Sequence, residues 1–580
     1  MTGLALEAAR PRRLPGPWLL ASGVITLLVL APIASLAITA SQGTAHLWQH
    51  LFAYVLPNAA RDSLLLLGGV GLVAAGLGTA SAWLVTAYDF PGRRIFSWAL
   101  LLPLAVPTYI IAYAYLDVLH PVGPVQDLIR TLLGYDNPRQ FRLPDVRSMP
   151  GCILLLGFVL YPYVYLPVRA VFLMQASNLL DAARTLGSGD RAVFFRVALP
   201  LARPAIVVGV SLALMEALND IGASEFLGVR TLTVAIYTTW VTRSDLPGAA
   251  QIALAMLALV VSILLLEQWA RRRRRYADDA QGPRPMVPQP LAGIRAAAAW
   301  LFALVPVVVG FVAPATYLAV ESARRVRFVG LSTAINTEAR NTLLVSAVAT
   351  VLTVACALVV VYAIRVSRGP APAILARAAS LGYAIPGSVL AIGVLPVAMG
   401  ADRLIDAGWM PLAGGSVGLL VLGSGTALIY AYVVRFMAIG AGGIEAGFSR
   451  VSPSLDEAAR TLGVGAGRRL RRIHLPLTRP ALVSAALLVF VDCMKELPAT
   501  LLLRPLGFET LSTHLYAEAA RGTYEDAAVA ALLIVLAGLV PVVLLARVGA
   551  AVPSSQFRTP DSQSPTSKSQ LPSPNSRLPI

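Results

Sequence analysis

The sequence predicts an all-α integral membrane protein with about twelve transmembrane helices, arranged as two tandem six-helix units related by a pseudo-two-fold axis along the membrane normal. Apolar residues make up 57% of the 580 positions and charged residues only 13%, which indicates a membrane protein and excludes an ordinary soluble domain. Twelve segments reach the ~20 apolar residues that a spanning helix needs. A polar stretch of 25 residues also occurs twice, 276 residues apart.

The predicted spans divide evenly between the two halves of the chain. A repeated unit with an even number of helices keeps its orientation in both copies, which is why the axis should lie along the membrane normal. The spans of the first half lie near 18–40, 62–86, 96–117, 150–172, 204–226 and 249–270. Those of the second half lie near 297–319, 342–364, 375–399, 416–438, 481–503 and 525–548.

The first span follows three arginines, Arg10, Arg12 and Arg13. A secretory signal peptide has the same order of parts, but its apolar region of roughly 7–15 residues is shorter than this run. We therefore predict an uncleaved membrane helix.

Arginine residues collect on one side of the predicted topology. Basic loops of membrane proteins lie in the cytoplasm, so a cytoplasmic N-terminus puts both polar repeats, the run Arg271–Arg275 and the C-terminal tail on that side. The loop near 118–149 is an exception, because it carries several arginines on the opposite side. This distribution accounts for the formal charge of +17 without a nucleic-acid partner. We predict that both termini are cytoplasmic.

Composition separates two units, a linker and a tail. Residues 1–270 and 297–552 form the six-helix units. The segment 271–296 begins with arginines and continues with Pro and Gly, which do not extend a helix, so we predict a basic, proline-rich cytoplasmic linker. Residues 553–580 are rich in Ser, Pro, Gln and Asn, and their low apolar content predicts a disordered tail.

The repeated polar stretch predicts a helical hairpin outside the bilayer. It reads DAARTLGSGDRAVFFRVALPLARPA at 181–205 and EAARTLGVGAGRRLRRIHLPLTRPA at 457–481, with 14 of 25 positions identical. Acidic residues at its start, Asp181 in one copy and Asp456 with Glu457 in the other, favour a helix N-terminus. Glycines then permit a tight turn, and a second, basic stretch is predicted to end at each Leu-Pro pair, 199–200 and 475–476. A hairpin resting on lipid headgroups is the alternative, but small residues at identical spacing in both copies favour a protein partner.

The motif resembles the EAA coupling loop of ATP-binding cassette (ABC) importer permeases. An acidic residue, two alanines, a glycine four residues later and a Leu-Pro further on carry the resemblance. In that family the loop is a short cytoplasmic helix that docks in a groove of the ATPase subunit. The first copy departs from the family's usual Glu by carrying Asp181. The implied docking positions are Asp181, Ala182, Ala183 and Gly187 in the first copy and Glu457, Ala458, Ala459 and Gly463 in the second.

The resemblance implies a transport subunit rather than an enzyme. A nucleotide-binding P-loop needs a lysine directly after glycine, but the two lysines of the chain, Lys495 and Lys568, follow Met and Ser. The family therefore implies two copies of a separate ATPase subunit that bind ATP and Mg²⁺, together with an extracytoplasmic solute-binding protein. It also implies a multi-pass location in the bacterial cytoplasmic (inner) membrane and no cofactor in this chain.

Ionisable residues near the end of the fifth span of each half are the translocation-path candidates, because such groups are costly in apolar segments. The candidates are Glu216, Asp220, Asp492, Lys495 and Glu496. At the offset of 276 these residues include two aligned acidic pairs. The structural alternative is that Lys495 pairs with Asp492 or Glu496 and only holds helices together. A proline in the third span of each half, Pro107 and Pro386, predicts a helix kink.

The segment MKELPATLLLRP at 494–505 resembles the corresponding part of iron(III)-type permeases, in which two six-helix units are commonly fused in one chain. Ferric iron is the cargo that this resemblance implies, and carboxylates are suitable ligands for a hard cation. No metal site is assigned from the sequence. Thiamine or another small solute is the alternative cargo, and an ion-gradient-driven secondary transporter or a membrane scaffold that moves nothing are alternative classes.

Overall fold

The computed structural model describes residues 16–43, 49, 51–174, 183, 185–272, 288–330, 332–367, 369–413 and 416–550. The predicted docking positions Asp181 and Ala182, much of the predicted linker and the C-terminal tail lie outside the described residues. The described part of the chain is helical apart from short connections and one pair of two-residue parallel strands.

The first half forms a series of helices and one strand, numbered here in chain order. The helices are α1 (Pro17–Ser41), α2 (Leu51–Ala87), α3 (Arg93–Ala99), α4 (Thr108–Val118), α5 (Pro124–Leu133), α6 (Met149–Leu160), α7 (Pro162–Met174), α8 (Asp190–Asn219), α9 (Gly222–Phe226), α10 (Leu232–Thr242) and α11 (Leu246–Arg272). Strand β1 (Tyr88–Asp89) follows α2, and a 3-10 turn (Leu102–Ala105) follows α3.

The second half repeats this order after strand β2 (Gln289–Pro290), which pairs with β1. Its helices are α12 (Gly293–Phe328), α13 (Thr333–Val366), α14 (Ala371–Ala379), α15 (Gly387–Ala413), α16 (Leu420–Gly423), α17 (Thr426–Phe448), α18 (Pro453–Thr461), α19 (Ala466–Met494), α20 (Pro498–Leu503), α21 (Leu511–Arg521) and α22 (Tyr524–Ala550). A 3-10 turn (Ser380–Ala384) leads from α14 towards α15.

Within the described residues, ten helices are long and apolar enough to cross a membrane. Two bent pairs raise the number to twelve: α3 with α4, which are inclined at 91°, and α6 with α7, at 41°. The predicted all-α membrane fold of two six-helix units is therefore confirmed.

The structure corrects the boundaries of two equivalent spans, predicted at 204–226 and 481–503. Helices α8 and α19 begin well before them, at Asp190 and Ala466. The prediction that the basic stretch ends at the Leu-Pro pairs is wrong, because both helices run through them. A π turn precedes each proline, at Phe194–Ala198 and Leu470–His474, and the wider turn accommodates a ring and a missing N–H that would break a regular α-helix.

The predicted span 416–438 is also displaced along the chain. The spanning helix α17 runs from Thr426 to Phe448. Gly425 stands before it with φ of 79°, a left-handed conformation that glycine adopts readily and that interrupts a right-handed helix. The apolar residues ahead of Gly425 therefore belong to a connection and to the short helix α16.

Pro107 and Pro386 stand at breaks in equivalent positions of the two halves. The residue before each proline, Val106 or Ile385, is extended, with ψ of 117° and 123°. The proline ring disfavours a helical conformation at the preceding residue, and α4 and α15 start directly after the prolines. Each proline thus stands between two helices, rather than bending one continuous helix.

The two halves exchange their first helices. Helix α1 packs on α13, α14 and α15 of the second half, where Thr26 Oγ1 donates a hydrogen bond to the Leu375 carbonyl at 3.2 Å. Helix α12 packs in turn against the first half, where Tyr115 OH donates to the Val309 carbonyl at 2.7 Å. The two units are therefore interlocked in one bundle.

Equivalent positions in the two halves also make equivalent hydrogen bonds. The Leu232 N–H donates to Ser63 Oγ at 2.9 Å, and the Leu511 N–H donates to Thr342 Oγ1 at 2.9 Å. The donors and the acceptors of these bonds are separated by the same 279 residues along the chain. The duplication seen in the sequence thus extends to tertiary contacts.

Gly393 tests the docking of α1. A methyl group on Gly393 would lie 2.3 Å from the Pro32 carbonyl oxygen of α1, so Gly393→Ala should displace α1 and lower the Tm of the purified protein. Gly400→Ala in the same helix is the control, because its methyl group would meet nothing within 4 Å. It should keep or raise the Tm, since alanine is favoured over glycine in helices by about 0.5–1 kcal/mol. An unchanged Tm for Gly393→Ala would contradict this packing.

Candidate functional site

A cavity of about 130 Å³ lies between the two halves, where both proline breaks reach its wall. All five translocation-path candidates line it, as do Pro107 and Pro386. The other polar side chains of the lining are Thr108, Tyr109, Tyr163, Asn219, Tyr383 and Arg435. The topology therefore brings charged side chains of both units together around one space.

Asp220 and Glu496 occupy equivalent breaks, between α8 and α9 and between α19 and α20. The Asp220 carboxylate accepts a hydrogen bond from the Ser224 N–H at 2.8 Å. The Glu496 carboxylate accepts from the N–H groups of Ala499 and Thr500, both at 3.0 Å. Each acid is only 5% exposed. Because the carboxylates satisfy N–H groups at the start of a new helix, their geometry favours a structural role over that of a free ligand.

Glu216, Asp492 and Lys495 present their charges to the cavity. Lys495 Nζ lies 2.8 Å from Asp492 Oδ1, so its ion-pair partner is Asp492 rather than Glu496. Tyr163 OH donates to Glu216 Oε1 at 3.3 Å. The side chains of Lys495 and Asp492 are each about one-quarter exposed, and an ion pair that water reaches contributes little stability. These groups are therefore available to a passing solute.

Two hydrogen bonds join the halves beside the cavity. The Gly387 N–H donates to Asn219 Oδ1 at 2.8 Å, which links the start of α15 to the end of α8. Tyr109 OH donates to the Lys495 carbonyl at 3.2 Å, which links α4 to the end of α19. A methyl group on Gly387 would lie 2.5 Å from Glu496 Oε1, so the close approach requires glycine.

Arg435 is a cavity residue that the sequence analysis missed. It is only 8% exposed, its Nη1 donates to the Ile385 carbonyl at 3.2 Å, and its Nε has no hydrogen-bond partner in the described part of the chain. The available signal was an arginine within a predicted span, since such a charge indicates a functional site by default. Tyr163 and Tyr383 gave no comparable signal, because single tyrosines are common in apolar segments.

The cavity carboxylates that do not cap a helix stand singly. Among the described residues, no group of three or more His, Cys, Asp or Glu side chains is arranged to hold a metal ion. Glu216 comes from the first half and Asp492 from the second, and the cations Lys495 and Arg435 line the same space. A tightly held, resident metal ion does not fit this donor set.

The second motif copy forms the short helix α18 and the turn after it. Ser452 caps the helix, accepting a hydrogen bond from the Ser454 N–H at 3.3 Å. Of the predicted docking positions, Glu457 and Ala458 are exposed, and Ala459 is buried. Helix α18 thus presents part of the motif outward and packs the rest inward.

The glycine of each copy forms a left-handed turn. Gly187 has φ of 84° and Gly463 has φ of 71°, a conformation that glycine adopts without strain. A methyl group on either would meet nothing within 4 Å, so the space around both turns is open. Ala183, the other described docking position of the first copy, is half-buried.

Asp456 fixes α18 to the spanning helices. Its Oδ2 accepts from Arg365 Nε at 2.7 Å, and its Oδ1 lies 2.8 Å from His474 Nε2 and 3.6 Å from Arg469 Nη1. Burial alone would raise the pKa of this carboxyl, but the hydrogen bonds and charges of Arg365 and His474 lower it below the ordinary value. Ionised Asp456 therefore contributes stability that is complete above the unfolded-state pKa of about 3.9 and is lost as the pH falls through the lowered pKa. The sequence alone marks Asp456 only as an acidic residue at a helix start.

Comparison with known proteins finds one family model twice in this chain, over residues 73–276 and 349–552. Its description is "Binding-protein-dependent transport system inner membrane component". The Fe(3+)-transport system permease protein of Haemophilus influenzae is 24% identical over 546 residues, which cover 92% of this chain and 99% of that protein. The molybdenum transport system permease protein of Escherichia coli is 31% identical over 210 residues, which cover 35% of this chain and 88% of that protein. The sulfate transport system permease protein of Synechocystis is 25% identical over 273 residues, which cover 45% and 91%.

Glu496 and Asp492 should differ in their contribution to stability. Glu496→Ala leaves buried N–H groups of α20 without an acceptor, which should lower the free energy of unfolding by about 1–3 kcal/mol. Asp492→Ala breaks a partly hydrated ion pair and should cost less than about 1 kcal/mol. Thermal unfolding of the two purified variants measures the difference. An equal Tm for both would contradict the capping role of Glu496.

Proposed function

The chain belongs to the binding-protein-dependent transport system inner membrane components, and we propose that, as the permease subunit of an ABC importer, it moves ferric iron into the cytoplasm. The observation that carries the cargo assignment is the end-to-end similarity to an Fe(3+) permease, which includes both halves of the chain. The molybdenum and sulfate relatives each match less than half of this chain.

The cavity chemistry supports a hard cation that is bound only in passing. Carboxylate oxygens are preferred ligands of such ions, and each half offers one, from Glu216 and Asp492. Transport requires binding that is weak enough for release. Single carboxylates with Lys495 and Arg435 nearby meet that requirement better than a closed ligand cage.

The two motif copies are the proposed docking sites for the ATPase. Both have an open surface around a left-handed glycine, and two sites accommodate two copies of an ATPase subunit, which carry ATP and Mg²⁺. The arginine distribution supports a cytoplasmic location for both copies and for the two termini. An extracytoplasmic solute-binding protein delivers the cargo on the opposite side of the inner membrane, and ATPase closure drives alternating access.

A tetrahedral oxyanion such as molybdate or sulfate is the second candidate cargo. The observation that favours it is Arg435, whose buried guanidinium lines the cavity and keeps one N–H without a partner among the described residues. Guanidinium groups are strong donors to oxyanions. The nearby carboxylates Glu216 and Asp492 oppose an anion, which is why iron is preferred.

The cargo can be decided by uptake in cells that lack the gene and carry it again on a plasmid. We expect labelled iron uptake to be lost on deletion and restored by the wild-type gene, and Asp492→Asn to lower it more than Arg435→Gln does. Labelled molybdate, sulfate and thiamine are the comparison solutes. If deletion leaves iron uptake unaffected and the plasmid restores uptake of one of these other solutes, the iron assignment is refuted.

Gly463 tests the docking of the ATPase. Valine at its left-handed φ costs about 1–2 kcal/mol of strain, so Gly463→Val should reach the membrane but lose co-purification of the ATPase and ATP-dependent uptake. Asparagine tolerates this conformation, which makes Gly463→Asn the matched control that should keep both.

Two results would count against this coupling. One is normal co-purification of the ATPase with the double variant Gly187→Val, Gly463→Val. The other is uptake that persists in ATP-depleted vesicles and collapses with an uncoupler, which would indicate an ion-gradient-driven transporter.

A further inference from the structure

A buried ionic group holds the second motif copy. Arg365 lies in the last turn of α13, and besides Asp456 it donates to the carbonyls of Phe448 and Val451, at 2.8 and 2.7 Å, where α17 ends. The remaining partners of Asp456 stand at the start of α19. The group therefore ties α18 to three spanning helices at once. The Asp456 cluster consists of Arg365, Asp456, Arg469 and His474.

The Asp456 cluster is largely buried and fixed in orientation. His474 is fully buried, and Arg469 and Asp456 are 5% and 7% exposed. The His474 ring stacks on Phe448 at 5.2 Å between centroids and meets Tyr362 edge-on at 5.5 Å. Buried ion pairs gain little stability over apolar side chains of similar volume. What the cluster provides is a defined position for α18.

The equivalent positions of the first half carry no charge. The offset of 276 relates α18 and α19 to the first motif copy and α8, and the offset of 279 relates α13 to α2. The residues equivalent to Asp456, Arg365, Arg469 and His474 are Leu180, Thr86, Val193 and Ala198. Leu180 lies outside the described residues, so only its identity enters this comparison.

Neighbouring aromatic residues support this correspondence. Trp83 and Phe172 pack at 5.2 Å between ring centroids, and their equivalents Tyr362 and Phe448 pack at 6.3 Å. Thr86 Oγ1 donates to the Ala82 carbonyl at 2.7 Å, within its own helix. The first half thus keeps the aromatic contact and uses the position of Arg365 for an internal bond.

We propose that Asp456 is a positioning residue, which makes the second motif copy a stiff mechanical link to the cavity. This rests on the proposed function, in which both copies dock the ATPase. Helix α19 runs unbroken from the cluster to the cavity, and His474 and Asp492 are about 27 Å apart along it at ~1.5 Å per residue. A displacement of α18 is therefore delivered directly to the cavity wall in the second half.

Spin-label distances in the isolated permease test the stiffness. Labels replace exposed leucines at matched positions, Leu462 and Leu477 in the second copy and Leu186 and Leu201 in the first. The full chain is reconstituted in lipid nanodiscs after its three cysteines have been replaced by alanine. We expect a narrow distance distribution for the second pair, and the first pair serves as the internal reference.

Asp456→Asn should broaden the distribution of the second pair and leave the first unchanged. Glu445→Gln, which removes an exposed carboxylate of α17, is the control and should change neither. If Asp456→Asn does not accumulate in the membrane, Arg469→Gln takes its place with a smaller broadening expected. No broadening in the variant used overturns the proposal.

The functional readout separates positioning from folding. With its ATPase bound, Asp456→Asn should keep co-purification and ATP hydrolysis, while uptake falls about fivefold or more, the range of ordinary coupling energies. The probe is whichever of labelled iron, molybdate, sulfate or thiamine the wild type carries, and Asp456→Glu should restore part of the uptake. A parallel loss of co-purification, hydrolysis and uptake would reduce Asp456 to a structural residue. The label distances are measured without ATPase or cargo, so their outcome does not depend on the proposed function.

Discussion

Backbone N–H groups at a helix break inside an apolar bundle need acceptors from the protein, because water does not reach them. Asp220 and Glu496 supply those acceptors at equivalent breaks. The residues directly before them, Asn219 and Lys495, accept two of the hydrogen bonds that join the halves, both beside the cavity. The cavity therefore exists where it does because two buried carboxylates allow the chain to stop and restart a helix. The other charged side chains around the cavity are those that do not cap a helix.

Features governed by local chemistry could be predicted from the sequence. Twelve apolar segments predicted the six-plus-six membrane fold, and the two prolines that were predicted as kinks stand at breaks between helices. The left-handed glycines of the motif copies were also implied, since a turn directly after a helix commonly requires them. The main local error concerned the Leu-Pro pairs, where a π turn lets α8 and α19 continue. Proline alone does not reveal whether the preceding turn has widened.

Features that depend on distant parts of the chain could not be predicted in this way. The offset of 276 paired Asp220 with Glu496, but their role as caps follows from the N–H groups that they reach. Asp456 meets Arg365 across 91 residues, and no periodicity indicates that contact. The packing of α1 on the second half could not be predicted either, because an apolar helix can face lipid or protein with the same composition. Arg435 differs from these cases, because an arginine within a predicted span was a signal that the sequence did contain.

The two units have kept their symmetry at the cavity and lost it at the motif copies. At the cavity, the capping carboxylates and the helix breaks match between the halves. Each half forms one wall of the shared space, and each wall needs the same kind of cap. At the motif copies, α8 and α19 each begin beside a left-handed glycine turn and end at a capped break, so each is a rod between the surface and the cavity. The ionic cluster of Asp456 holds the start of α19, and the first half has Leu180, Thr86, Val193 and Ala198 at the equivalent positions. Fusion of the units in one chain gives each motif copy its own sequence, which a homodimer would forbid, so one copy can carry such a cluster without the other.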